Sequence, residues 1–181
     1  MTKKILIIAA NGVEDIEMIA TNDLLKRANI DVDIATKTDI LVTSYGINIV
    51  SQLSFIVALK NLTQYDGLFI PGGSHISLLE EDEAVEVIIN HFNSKNKVIG
   101  AICAGPTLLA TKGILEGKEA ICYPGKKERA ILLKNKAIIP NPNCKPNNKC
   151  EVVVSGKIVT GLMMDSTFAF VRKFIQIIEK Y

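Results

Sequence analysis

Histidine is scarce in this chain: two residues among 181, beside four cysteines (Cys103, Cys122, Cys144 and Cys150) with no Cys-x-x-Cys pair. A structural zinc site needs a denser ligand set, so no metal is expected. An excess of charge of one sign is also missing. The 21 basic and 19 acidic residues leave +2, too small an imbalance to draw the chain to nucleic acid or a membrane surface. The basic group Lys126-Lys127-Glu128-Arg129 has no interleaved aromatics to stack bases and reads as a solvated face. No apolar run approaches the roughly 18 residues of a spanning helix. The run Ile5–Ala10, behind Lys3 and Lys4, stops at Asn11-Gly12. It falls short of the about 7–15 residues of a secretory signal core, so a buried first strand is expected, in a cytoplasmic protein. Gly 12 and Pro 6 exclude a low-complexity chain, and with neither repeat nor linker a single domain is expected over residues 1–181.

What is present is the composition of a globular enzyme or binding domain: 48% apolar and 22% charged residues. A chain of this size buries about 70% of the surface its unfolded form exposes, enough for a core without disulfides or metal. Cys144 and Cys150, in an Asn/Pro/Lys-rich stretch, could form a disulfide or half a metal site, but an ordinary surface loop is the preferred reading.

Short apolar runs alternate with helix-length amphipathic segments, the pattern of a mostly parallel sheet between helices. Strands are expected at Lys4–Ala9, Asp31–Thr36, Tyr65–Ile70 and Lys97–Ile102, with an edge hairpin over 40–50 and a second hairpin turning at Ser155-Gly156-Lys157. Helices are expected at 14–28, 82–92, from about Pro106 to Thr111, at Lys126–Leu133 beside a strand at Ala137–Ile139, and at Ser166–Glu179. The fold class is a three-layer α/β sandwich.

In open α/β sheets ligands gather beyond the carboxyl ends of the strands. Three segments converge there: Glu14, Asp15 and Glu17 after the first strand, Pro71-Gly72-Gly73, and Ala101-Ile102-Cys103-Ala104-Gly105-Pro106. Cys103 sits between a strand and a helix that Pro106 can open, an elbow that lifts a nucleophile above the sheet edge. A helix dipole and unpaired N–H groups there would favour thiolate. Gly72 and Gly73 allow backbone donors to turn toward an oxyanion, and no Lys-Ser/Thr follows to make a phosphate loop. Glu17, flanked by Ile16, Met18 and Ile19, is expected to have its pKa raised if it points inward, whereas Glu14 and Asp15 read as solvated first-turn acids. His75 could reach the site mouth. His91 reads as structural or solvated.

Together these segments resemble the ThiJ/PfpI family, on the branch of the parkinsonism-associated protein deglycase and its bacterial-like relatives. The matching stretches are Asn11-Gly-Val-Glu-Asp-Ile-Glu17, Phe69-Ile-Pro-Gly-Gly73, Gly100-Ala-Ile-Cys-Ala-Gly-Pro106 and Cys122-Tyr-Pro124. The resemblance implies a flavodoxin-like sandwich, usually a homodimer, with Cys103 as elbow cysteine, Glu17 as its acidic partner and backbone donors at Gly72, Gly73 and Ala104. It also implies a cofactor-independent glyoxalase or deglycase-like activity on 2-oxoaldehydes such as methylglyoxal or their protein adducts. The alternative is a redox-responsive protein whose Cys103 oxidises to sulfinate.

Departures from the family pattern bear on the pocket. Tyr123 stands where one branch has His, Met163-Met164-Asp165-Ser166 replaces a Gly-Pro-Gly-Thr-like turn, and Tyr45 replaces an Arg of the edge hairpin. Tyr123 and Met163 are therefore possible pocket residues. Relatives with peptidase activity carry His after the cysteine, where this chain has Ala104, and glutamine amidotransferases need a late His, whereas none follows His91.

Overall fold

Four consecutive large aliphatics, Ile5 to Ile8, are all inaccessible to solvent, and their alternation explains the architecture. Leu6 and Ile8 enter one core while Ile5, Ile7 and Ala9 enter another, so the first strand is covered on both faces. Each such side chain contributes about 1.5–3 kcal/mol on burial. The computed structural model describes residues 2–181; Met1, the first residue of the expected domain, lies outside the described residues.

In chain order the elements are β1 (Lys4–Ala9), α1 (Asp15–Arg27), β2 (Asp31–Thr36), β3 (Ile40–Val42), β4 (Asn48–Val50), β5 (Leu53–Ser54) and α2 (Phe55–Lys60). Then come β6 (Gly67–Ile70), α3 (Ile76–Glu80), α4 (Glu83–Ser94), β7 (Val98–Ile102) and α5 (Gly105–Thr111). The chain ends with α6 (Lys126–Lys134), β8 (Val152–Ser155), β9 (Ile158–Gly161) and α7 (Thr167–Lys180). Among the described residues seven strands form one sheet in the order β5-β2-β1-β6-β7-β9-β8, parallel except where β8 returns antiparallel to β9. Helices α1 and α7 pack on one face through Met18, Leu25, Phe170, Phe174 and Ile178. Helices α2 to α6 cover the other through residues such as Phe55, Leu79, Ile88, Leu108 and Leu132. This is the expected mostly parallel sheet between two helical layers.

Close packing explains the small residues of β7. A Cβ on Gly100 would lie 2.7 Å from Cε2 of Phe174, so α7 presses its aromatic pair directly on the strand that delivers Cys103. The edge hairpin is the ribbon β3–β4, paired Ile40 to Val50 and tied to the first loop by Gly12 N–H to Val42 O (2.8 Å).

Several expectations change. The strand at Ala137–Ile139 reduces to a single parallel bridge, Glu119 to Ile138. Two short helices, α2 and α3, appear where none was expected; Ser54 caps α2 by accepting from Val57 N–H. Cys144 and Cys150, read as part of an ordinary loop, are joined in a disulfide with Cα atoms 5.8 Å apart, a separation that a bridge spans without backbone movement. Cys144 is buried on Ile121, Val153 and Leu162, and a turn from Asn148 to Glu151 brings Cys150 back to it. Among the described residues no helix is long and apolar enough to cross a membrane.

Candidate active site

The elbow is built by the backbone. Cys103 has φ +60°, a left-handed conformation that costs a residue with a Cβ on the order of 1–3 kcal/mol. The surroundings fix it from both sides: Cys103 N–H donates to Gly161 O (3.1 Å), and Tyr123 N–H donates to Cys103 O (2.7 Å). The side chain therefore stands at the carboxyl end of β7, where α5 begins.

Glu17 comes from the first turn of α1. Glu14 caps that helix by accepting from Glu17 N–H (2.7 Å), and the turn carries the Glu17 side chain into the molecule, where it is fully buried. Oε2 accepts from Gly72 N–H at 2.6 Å; among the described residues Oε1 has no hydrogen-bond partner. Burial drives the carboxyl up from 4.5 to about 7, partly offset by the Gly72 N–H and the neighbouring Cys103.

Gly72 lies where these groups meet. A Cβ there would fall 2.5 Å from Cys103 Cβ, 2.7 Å from Glu17 Oε2 and 3.0 Å from Ala104 N. Gly73 is needed for a different reason: its φ is +113°, and a Cβ would sit 2.6 Å from Glu14 N because the Val13 loop crosses it.

The expected standing thiolate is not what this environment favours. Burial pushes the Cys103 thiol up, and the adjacent Glu17 charge pushes it further; the Ala104 N–H acts the other way. The N–H groups at the start of α5 are outweighed because the sulfur is buried and shares its pocket with the Glu17 carboxyl. The expected donors are revised as well. Gly72 N–H is occupied by Glu17, which leaves Gly73 and Ala104 as the candidates for an oxyanion.

His75 is not at the site mouth. It is fully buried, its Nδ1 accepting from Ala10 N–H (3.2 Å) and its Nε2 paired with Pro71 O (3.0 Å), and burial lowers its pKa to about 4. Asp15 is not solvated either: Oδ1 accepts from Thr43 Oγ1 (2.5 Å) and Oδ2 from Tyr45 N–H (3.1 Å), fastening α1 to the β3–β4 hairpin. Asp15 and Thr43 carry no pattern from which a sequence reading could pair them. Tyr123 flanks the elbow with its side chain 40% exposed. Met163 packs on the small cluster of Ile121, Cys144, Val153 and Leu162. Cys122, the other free cysteine, is buried and its thiol is raised to about 12.

A cavity of about 320 Å³ opens beside the elbow, bordered by Gly73, Ser74, Ala104, Thr107, Lys127 and Glu128. A larger depression of about 490 Å³ lies at Lys4, Asp31 and Asp33, the opposite ends of β1 and β2. Among the described residues no group of three or more His, Cys, Asp or Glu side chains could hold a metal ion.

Residues 3–177 match the DJ-1/PfpI family. The deglycase PH1704 of Pyrococcus horikoshii is 27% identical over 177 residues, covering 97% of this chain and 99% of its own. A glutathione-independent glyoxalase, DJR-1.2 of Caenorhabditis elegans, is 28% identical over 176 residues, covering 97% of this chain and 88% of its own. The solved structure of oxidized Toxoplasma gondii DJ-1 superposes with a TM-score of 0.81 at 26% identity, over 99% of this chain and 95% of that one.

Proposed function

The chain belongs to the DJ-1/PfpI family, and from that membership we propose that it is a cysteine-dependent, cofactor-independent enzyme acting on 2-oxoaldehydes, as a glyoxalase on methylglyoxal or as a deglycase on its protein adducts. Relatives named deglycase and glyoxalase support an enzymatic role. The observation that carries the reading is the meeting of the Glu17 carboxyl and the Cys103 thiol across Gly72.

A thiol held neutral needs a base at the moment of attack, and a carboxyl with a pKa of about 7 is matched to that task near neutrality. Glu17 takes the Cys103 proton as sulfur bonds to the aldehyde carbon and passes it to the carbonyl oxygen, which becomes the hydroxyl of a hemithioacetal and leaves the carboxylate free to act again. The same carboxyl then moves the C1 proton to C2 through an enediol, so C1 is oxidised and C2 reduced within one molecule. Water cleaves the resulting thioester, releasing lactate and restoring the thiol. Gly73 and Ala104 N–H groups offer donors for the oxyanions. Lactate formation from methylglyoxal without glutathione, by the wild type beside Cys103→Ala, tests this; equal rates would refute it.

The buried Glu17 Oε1 without a partner and the existence of an oxidized relative favour a second reading. Two peroxide equivalents, each reduced to water, would carry Cys103 to sulfinate, with protonated Glu17 donating to a new oxygen. Intact mass after mild peroxide should then show two added oxygens on Cys103 alone; equal oxidation of the other cysteines would remove this reading.

The protein is also proposed to act as a homodimer, without nucleic acid or membrane as partner. Ile16 and Ile19 on α1 and Tyr45 and Ile47 on the hairpin are exposed, and the Asp15 bond to Tyr45 N–H holds the start of α1 against the hairpin that carries the other two. A second copy, presenting the same side chains, would cover them.

A further inference from the structure

One peptide unit, Pro71–Gly72, is gripped at both ends. Its N–H donates to Glu17 Oε2 at 2.6 Å, and its C=O lies 3.0 Å from His75 Nε2. Because a peptide is planar, its N–H and C=O cannot turn independently, so whatever fixes the oxygen also aims the hydrogen. The tautomer of His75 follows from its other partner. Ala10 N–H can only donate, and it points at Nδ1 (3.2 Å), so the ring proton sits on Nε2 and is donated to Pro71 O. The ring is fully buried and takes no part in the proposed chemistry.

We propose that His75 is a positioning residue: its neutral ring, oriented by the end of β1, locks the Pro71–Gly72 peptide so that the Gly72 N–H stays aimed at the Glu17 carboxylate. The inference rests on the proposed role of Glu17 as the proton carrier, but its test does not need turnover. A well-aimed N–H stabilises the ionised carboxylate and holds its pKa down against burial. The titratable groups facing Glu17 are Glu14 and Cys103; neither is a hydrogen-bond partner of His75.

The Glu17 titration is read by carbon NMR of the labelled carboxyl in the full chain, with the pH profile of lactate formation beside it. His75→Leu fills the buried space but cannot donate, so the Glu17 midpoint should rise by about half a unit to one unit. His75→Gln, whose amide nitrogen reaches the position of Nε2, should bring it back toward wild type. If His75→Leu does not fold, His75→Asn replaces it, since its shorter amide meets the Ala10 N–H but stops short of Pro71 O. An unmoved midpoint in a folded variant lacking the donor, or an equal rise in His75→Gln, overturns the proposal. A shifted midpoint in a protein that makes no lactate upholds it while removing the enzymatic reading.

Discussion

The Glu17 carboxyl and the Cys103 thiol meet across a residue that has no side chain: a single Cβ on Gly72 would fall within 2.7 Å of both Glu17 Oε2 and Cys103 Cβ. The buried acid and the elbow sulfur therefore share one small volume, and their protonation is coupled through it.

That coupling gives a pH signature to stability. Glu17 is raised from 4.5 to about 7 in the folded chain, so between these values the native state holds a proton that the unfolded state has released. Stability from this group is complete below about pH 4.5 and is lost as pH rises through about 7, by an amount on the order of a few kcal/mol. Glu17→Gln should lack this decline. Urea melts of both proteins at about pH 4 and about pH 8 measure the difference; parallel losses would contradict it. The same variant should slow lactate formation by about 10²–10⁴-fold.

Gly72→Ala should separate the pair. The added methyl meets a backbone nitrogen as well as two side chains, so relief requires the turn to move, at a cost of about 1–3 kcal/mol. Lactate formation should fall even in samples that remain folded by circular dichroism.

Much of this site is legible in the amino-acid sequence. Strand runs, Gly72-Gly73 and the Cys103-Ala104-Gly105-Pro106 step carry their geometry in residue type, because positive φ and close approach restrict what can stand there. His75 and Asp15 escape such a reading because each is satisfied by groups brought in by chain folding, Ala10 N–H and Pro71 O for one, Thr43 Oγ1 and Tyr45 N–H for the other. The direction of the Cys103 shift escapes it for a related reason. Elbow position suggests a dipole, while burial beside Glu17 is a tertiary fact. Helices α2 and α3 span six and five residues, too few for a periodicity to register.

The Cys144–Cys150 bridge closes a short loop with a sequence separation of 6, for which chain entropy gives about 2 kcal/mol. Cys144→Ser/Cys150→Ser should lower Tm by about 4–8 °C under oxidising conditions. A dithiol reductant should lower the wild type to the same value and leave the double variant unchanged. A reductant-insensitive wild type would mean that the bridge does not support the fold.

Ile16→Glu places a charge among the exposed apolar side chains of α1 and the hairpin. Light scattering after size exclusion should show a dimer for the wild type and a shift toward monomer for the variant, with the circular dichroism spectrum retained. A wild type that runs as a monomer at all concentrations would remove the dimer.

The two bonds on the Cys103 peptide groups, to Gly161 O and from Tyr123 N–H, make the sulfur a fixed post. Its backbone cannot swing toward a reactant without breaking the link to β9 or to the segment after Cys122. On the proposed aldehyde chemistry, discrimination by bulk falls to the walls of the adjoining cavity, the rim at Ser74, Thr107 and Lys127. Retuning the protein for a larger substrate is a matter of recutting those walls around an anchor that stays where it is.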